Sequence, residues 1–255
     1  MARIFVTGST DGLGLAAAQT LIGEGHQVVL HARSAERAAA VAGLAHQTAG
    51  VVTGDLSRAD DVRHIAEQVD AIGRMDAVIH NAGIYEAPAR GSTPEGHAVT
   101  LAVNTLAPYM LTALMERPGR LIYLSSGLHR GGDGSLHDID WTERRWDAGR
   151  AYAESKLFVT ALAFALARRW PEVASNAVDP GWVRTKMGGA AAPVDIAAGA
   201  RTQAWLAGSD APEAKSSGRY WHHMRQDEPA EAAMDTGFQD RLVAGLQELT
   251  AVGLT

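Results

Sequence analysis

The chain of 255 residues contains no cysteine. That excludes disulfides and any zinc site built on thiolates, and it suits a reducing compartment. Basic blocks are also missing and the formal net charge is −6, which argues against a general nucleic-acid binder, because such a protein must neutralise phosphates. No apolar run approaches the ~18 residues that a membrane-spanning helix needs. Strand-like residues follow almost directly on Met1, leaving no room for the charged and apolar regions of a secretory signal. The expectation is a soluble, cytoplasmic protein whose partners are small molecules, with no nucleic acid and no membrane. Metal-ligand spacing is lacking as well. His129, His137, His222 and His223 are available, but the adjacent pair cannot readily aim at one ion and no His-x-x-x-His or acidic pattern accompanies them. No metal is expected, and these histidines read as loop or pocket-lining residues.

Short apolar runs are present at residues 4–6, 28–30, 51–52, 77–79, 121–124 and 175–178, separated by stretches that mostly read as helices. Strands that are apolar without alternation are covered on both faces, and right-handed crossovers put helices on each side. The predicted fold is α/β, a doubly wound parallel β-sheet with helices on both faces, in a single domain over residues 1–255. The longest predicted helix is 152–170, stopped by Pro171, and a short terminal helix is predicted over 240–249. Residues 127–151 lack clear periodicity and read as an active-site loop. Beyond Gly188 no strand pattern repeats, and residues 182–235 read as a substrate-loop region.

Between the first strand and an Ala-rich helix, in "RIFVTGSTDGLGLAAAQTL", stand Gly8, Gly12 and Gly14. Glycines let the backbone take positive φ and approach a ligand closely, and the following helix offers unpaired N–H groups. A dinucleotide pyrophosphate fits these properties; a tight turn without ligand is the other reading. In "YAESK", Tyr152 and Lys156 stand four residues apart and share one face of a helix. A tyrosine hydroxyl has a reference pKa of ~10, and a neighbouring ammonium lowers it, which would make the phenol a practical proton donor. An ordinary exposed pair has the same spacing.

In combination these motifs resemble the short-chain dehydrogenase/reductase family, in its single-domain branch with a Rossmann fold. "TGSTDGLG" matches that family's T-G-x-x-x-G-x-G loop; "NAG" follows the fourth strand; Asn104, "LSS" ending at Ser126, Tyr152 with Lys156, and "PGWVRT" from Pro180 complete the order. The resemblance implies Tyr152 as general acid/base and Ser126, rather than Ser125, as donor to the substrate oxygen. It implies Lys156 as the residue that holds the nicotinamide ribose and lowers the tyrosine pKa, and Asn104 as the residue that positions a relay water. Implied cofactor contacts are Gly8, Ser9, Thr10, Gly12, Leu13, Gly14, Arg33, Asp55, Leu56, Asn81, Ala82, Gly83, Tyr152, Lys156, Pro180, Gly181, Val183 and Thr185. Asp55 has a second reading as a helix cap.

The sequence departs from the family pattern in three places. His80 replaces the usual asparagine before "NAG". Ala32 stands where NAD-dependent relatives carry an acid, and Arg33 follows it, so NADP(H) is preferred with NAD(H) possible. Asp11 occupies a position that is basic in many NADP-preferring relatives. The family also implies a homodimer or homotetramer, here through the outer face of the 152–170 helix with Phe158, Leu162 and Leu166. Trp182, Met187, Tyr220, Trp221 and Met224 are candidates to line an apolar pocket. The long loop and "SGRYW" resemble retinol-dehydrogenase-like members, which implies reduction of a medium-sized, largely apolar aldehyde or ketone. Two other readings share parts of the pattern. A dinucleotide-binding redox sensor needs the glycine loop but has no need of a hydroxyl acid beside a lysine. A nucleotide-sugar epimerase or dehydratase needs a larger C-terminal lobe.

Overall fold

The computed structural model describes residues 1–85 and 89–254. In chain order the first half contains β1 (Arg3–Val6), α1 (Gly12–Gly23), β2 (Gln27–Ala32), α2 (Ala35–Ala39), β3 (Gly50–Thr53), α3 (Ala59–Ile72) and β4 (Ala77–His80). The second half contains α4 (Val99–Leu101), α5 (Ala107–Leu114), β5 (Arg120–Leu124), α6 (Ala148–Arg169), β6 (Ala174–Asp179), α7 (Ile196–Gly208), β7 (Arg219–His222), β8 (Arg225–Asp227), α8 (Glu231–Met234) and α9 (Thr236–Thr250). The sheet order is β3-β2-β1-β4-β5-β6-β7-β8. All pairs are parallel except β7 with β8.

Why the strands are apolar throughout is visible in how their residues divide. Phe5, Val29, Val78, Leu121 and Tyr123 join one core with residues of α3, α5, α6 and α9. Their neighbours Ile4, Val6, Val28, Leu30, Ile79 and Ile122 join a second core with residues of α1 and α7. Each face of the sheet is thus buried, and strict polar alternation has no place. Because β2 and β4 lie on opposite sides of β1, the chain reverses its winding there, and the crevice beyond the strand ends at such a switch point is the place where this architecture binds ligands.

Four expectations need correction. Helix α6 begins at Ala148, ahead of residue 152, because the Asp147 carboxylate accepts from the Arg150 N–H at 3.0 Å and caps it. Tyr152 therefore lies in the second turn. Strands β7 and β8 add an unpredicted hairpin whose two turn residues, His223 and Met224, have φ of 44° and 65°. A glycine or asparagine would have announced such a turn, and neither is there. Helix α9 starts at Thr236 rather than residue 240, capped by Asp235. Finally, Phe158, Leu162 and Leu166 are not an outer face: they are buried with Phe238, Leu242 and Leu246 of α9. The chain's own last helix covers the surface through which copies were expected to pair.

Candidate active site

The loop between β1 and α1 is shaped by what its glycines leave out. Gly8 and Gly12 have φ of 62° and 52°, the left-handed region that a Cβ disfavours. A Cβ on Gly14 would overlap the Gly8 carbonyl oxygen and Nδ2 of Asn81. That Asn81 amide donates to the Thr7 carbonyl at 2.9 Å, and the Ala82 N–H donates to Thr7 Oγ1 at 3.0 Å, so "NAG" braces the loop from behind. His31 ties it to the next two strands. The Gly8 N–H donates to His31 Nδ1 at 2.9 Å, while His31 Nε2 donates to the Gly54 carbonyl at 2.9 Å. Burial holds the imidazole below its usual pKa, in keeping with the neutral tautomer that these bonds require. Ser9 is buried and accepts from the His31 N–H at 2.8 Å.

The loop opens on a cavity of about 1480 Å³ that runs across the strand ends, from Asp55 after β3 to His222 at the end of β7. Six strand spacings of roughly 4.8 Å give it a reach on the order of 30 Å, suited to an extended ligand with a second one beside it. Of the residues expected to bind cofactor, Gly8, Thr10, Gly12, Leu13, Arg33, Asp55, Leu56, Asn81, Ala82, Gly83, Tyr152, Lys156, Pro180, Gly181, Val183 and Thr185 line it. Ser9 and Gly14 do not, because they are spent on holding the loop. Asp55 also closes its own turn, its Oδ1 accepting from the N–H and hydroxyl of Ser57 at 2.9 and 2.8 Å. It does not cap α3, which starts after Arg58.

Three expected catalytic side chains meet on the cavity wall: Ser126, Tyr152 and Lys156. The competing Ser125 also lines the cavity, but its hydroxyl is engaged with buried Thr160 Oγ1 at 2.6 Å. Burial pushes the Tyr152 phenol up to about 12, partly countered by a hydrogen bond with Ser126; the Asp179 carboxylate and Tyr85 add to the rise. The expected lowering by Lys156 is not seen. The lysine Nζ lies 5.6 Å from the phenol ring centre and donates to the Leu124 carbonyl at 2.7 Å. Burial also brings Lys156 down to about 8, with Asp179 opposing. Asn104 stands behind the cavity in a π-helical turn, Ala102–Leu106. Its Nδ2 donates to the Ile84 carbonyl and to Ser155 Oγ, both at 3.0 Å, and its Oδ1 accepts from the Ile84 N–H at 2.8 Å. Gly83 separates it from the lysine: a Cβ there would sit 3.3 Å from Lys156 Nζ and 3.4 Å from Asn104 Oδ1.

The departures from the family pattern acquire physical reasons. His80 is buried, stacked on Tyr123 at 4.6 Å and bonded to Thr112 Oγ1 at 3.0 Å, so it serves the core. Asp11 is flanked by Lys186 Nζ at 2.5 Å and Arg37 Nη2 at 3.3 Å, with the Lys186 bond the main cause holding its carboxyl below the ordinary range. Its charge is answered locally. Arg33 is exposed on the cavity wall and makes no ion pair among the described residues. Trp182 and Met187 line the cavity as expected and are largely exposed. Tyr220 and Trp221 are buried in the cores and do not line it, nor does Met224. Of the 127–151 loop, only Gly127 and Leu128 reach the cavity. Its Trp141 and Arg144 are pinned to α6, where buried Glu154 accepts from Trp141 Nε1 at 3.0 Å and from Arg144 at 2.9 Å. Tyr85, Arg37 and Asp179 line the cavity without having been singled out as site residues, and His222, read as a loop or pocket-lining histidine, lines it too. Tyr85 packs edge-on against Tyr152 at 4.7 Å, and its only sequence signal is its place just after "NAG". Among the described residues no group of three or more His, Asp or Glu side chains could hold a metal ion.

The dinucleotide-type loop, the serine–tyrosine–lysine cluster and the doubly wound sheet define a nicotinamide-dependent oxidoreductase. The short chain dehydrogenase profile matches residues 2–194. The chain belongs to the short-chain dehydrogenase/reductase family. It is 39% identical over 257 residues to the short-chain dehydrogenase chry4 of Gibberella zeae, covering 100% of this chain and 99% of that protein. It is 29% identical to human retinol dehydrogenase 14, covering 94% and 83% of the two chains. Among solved structures, a short chain dehydrogenase of Burkholderia cenocepacia in complex with NADP matches with a TM-score of 0.68 and 26% identity, over 87% of this chain and 95% of that one.

Proposed function

We propose that the protein is an NADP(H)-dependent carbonyl reductase acting on a medium-sized, largely apolar aldehyde or ketone. The observation that carries this reading is the meeting of Ser126, Tyr152 and Lys156 on a wall continuous with the glycine loop. A nicotinamide dinucleotide fits the residues present: Gly8 and Gly12 in the left-handed region, the first turn of α1 beyond the Gly12 N–H that Asp11 caps for a pyrophosphate, and Arg33, without an ion pair among the described residues, for a 2′-phosphate. When bound, it supplies the hydride. The chain supplies the rest. Ser126 donates to the carbonyl oxygen, where negative charge develops as the carbon is reduced. Tyr152 delivers its phenolic proton to that oxygen, and Lys156 on the same wall holds the nicotinamide ribose. Asn104 keeps an acceptor lone pair across Gly83 from Lys156, where a water can pass the proton inward.

Ala32 and Arg33 support NADP(H) over NAD(H), and the cations on Asp11 remove the objection its charge would raise. Trp182, Met187, Leu128 and Tyr85 add apolar and aromatic surface to the wall, which supports a largely apolar substrate held by residues 182–235. The same reading puts the protein in the cytoplasm, which its freedom from cysteine suits. It keeps a homodimer or homotetramer, by a surface other than the face of α6 that α9 covers. The test is Tyr152→Phe. The variant is expected to bind NADPH as the parent does while hydride transfer falls by at least about a thousandfold in stopped-flow single turnovers; near-parental turnover would remove Tyr152 from the mechanism.

A further inference from the structure

Proton transfer to the carbonyl leaves one polar part of the cavity wall unused. His222 ends β7 directly opposite Asp179 at the end of β6, and both line the cavity. Asp179 is buried and its Oδ1 is fixed by the Gly181 N–H at 2.8 Å. Its Oδ2 stands 3.3 Å from His222 Nδ1, an ion-pair distance at which no hydrogen bond closes. The His222 side chain is 39% exposed although its Nδ1 is buried. Its exposure therefore belongs to the side-chain atoms other than Nδ1. His223 packs across it at 4.1 Å between ring centres.

The hairpin turn that carries this imidazole is costly. Two residues other than glycine, His223 and Met224, sit in the left-handed region, and the Met224 N–H is tied to Thr202 Oγ1 of α7 at 3.0 Å. A turn held in a strained shape from outside fixes where His222 points. The charged and titratable groups that share the field of Asp179 are Tyr152 and Lys156 on α6, His129 after β5, Tyr220 on β7 and His223 in the turn itself. With Asp179 Oδ2 facing Nδ1 at 3.3 Å, the tautomer that carries its proton on Nδ1 leaves Nε2 as a lone-pair acceptor. The same cavity wall carries the apolar side chains of Trp182, Met187 and Leu128.

We propose that His222, oriented by Asp179, is a specificity-determining residue that accepts a hydrogen bond from a hydroxyl group on the substrate, apart from the carbonyl that is reduced. The substrate class is then a hydroxylated ketone or aldehyde with a mainly apolar body. This rests on the carbonyl-reductase reading. A site built to pair a hydroxyl discriminates against the analogue that lacks it, because the protein's polar group is left unpaired.

Matched ketone pairs test it: phenyl alkyl ketones of graded chain length against their hydroxyphenyl counterparts. With NADPH, the parent enzyme is expected to favour the hydroxylated member roughly ten- to a hundredfold in kcat/KM. In His222→Leu the preference should fall to within about threefold, and His222→Gln, which restores an acceptor oxygen, should recover part of it. Calorimetry of the same ketones into the NADP⁺-loaded enzyme reads the preference without turnover, and melting curves check that each variant folds. A parental ratio near one, or a preference unchanged in His222→Leu, overturns the proposal while leaving the reductase reading intact. If neither ketone is reduced yet hydroxyl-dependent binding is present and lost in His222→Leu, the site stands and the reaction reading fails.

Discussion

Tyr152 and Lys156 share one helical face, as their spacing requires, but their ionisation is governed by burial rather than by each other. A phenol pushed up to about 12 beside an amine brought down to about 8 is a site in which charge is held back until a ligand compensates it. The lysine sets a testable limit. Its charged form is disfavoured in the folded chain, so kcat/KM for carbonyl reduction is expected to fall as pH rises through about 8 and Lys156 loses its proton. The same depressed pKa has a linkage consequence of fixed sign. Below about 8 the buried ammonium carries its full penalty, and folding stability gains as pH rises from there toward the unfolded value of 10.5. A Lys156→Met variant followed by denaturant melts should lose that gain, whereas an unchanged pH dependence would assign it elsewhere. Arg33 makes the second prediction at this scale. Arg33→Ala should weaken NADPH by roughly 1.5–3 kcal/mol in calorimetry and leave NADH nearly unchanged; equal losses would contradict selection through the 2′-phosphate. The glycine loop and the Tyr152–Lys156 spacing were legible from backbone approach and proton chemistry, and the remaining candidate residues only from the motif order that resembles the family. Burial was not legible. Asp179 and Tyr85, which raise the phenol, come from the end of β6 and from the chain after β4 and meet it only in the fold.

At the scale of elements, the glycine loop is an interlock between β1, α1 and the segment after β4. Gly14→Ala would force its Cβ against the Gly8 carbonyl and the Asn81 amide, so we expect both destabilisation of about 1–3 kcal/mol and loss of dinucleotide binding. Melting and NADPH fluorescence titration on the same sample check this, and a variant that binds NADPH normally would show that the interlock is not needed. The six anticipated strands were legible because a buried parallel strand must be a short apolar run. β7 and β8 were not. "RYWH" and "RQD" meet at His223 and Met224, a turn whose conformation is imposed by tertiary contacts such as the bond to Thr202 rather than by its own residues. The start of α6 was hidden in the same way: Asp147 caps it, but the following "AGRA" carries no apolar stripe to announce the first turn.

At the scale of the whole molecule, α9 decides which surface of α6 is free. Leu242 and Leu246 are fully buried in the same core as Phe158, Leu162 and Leu166 of α6. Leu242→Ala should cost about 2–5 kcal/mol, read as a lowered melting midpoint; a loss under about 1 kcal/mol would mean that α9 is only loosely held. The central claim is that the cavity carries out hydride transfer rather than only sensing a dinucleotide. It is tested most directly by mixing stoichiometric enzyme and NADPH deuterated at the transferred position with an excess of apolar and hydroxylated ketones, and following nicotinamide absorbance through one turnover. The account predicts oxidation of the bound NADPH, slower with the deuterated cofactor by at least about twofold and abolished in Tyr152→Phe. Tight NADPH binding with no oxidation across the ketones would contradict it, and would leave a dinucleotide-binding sensor in its place.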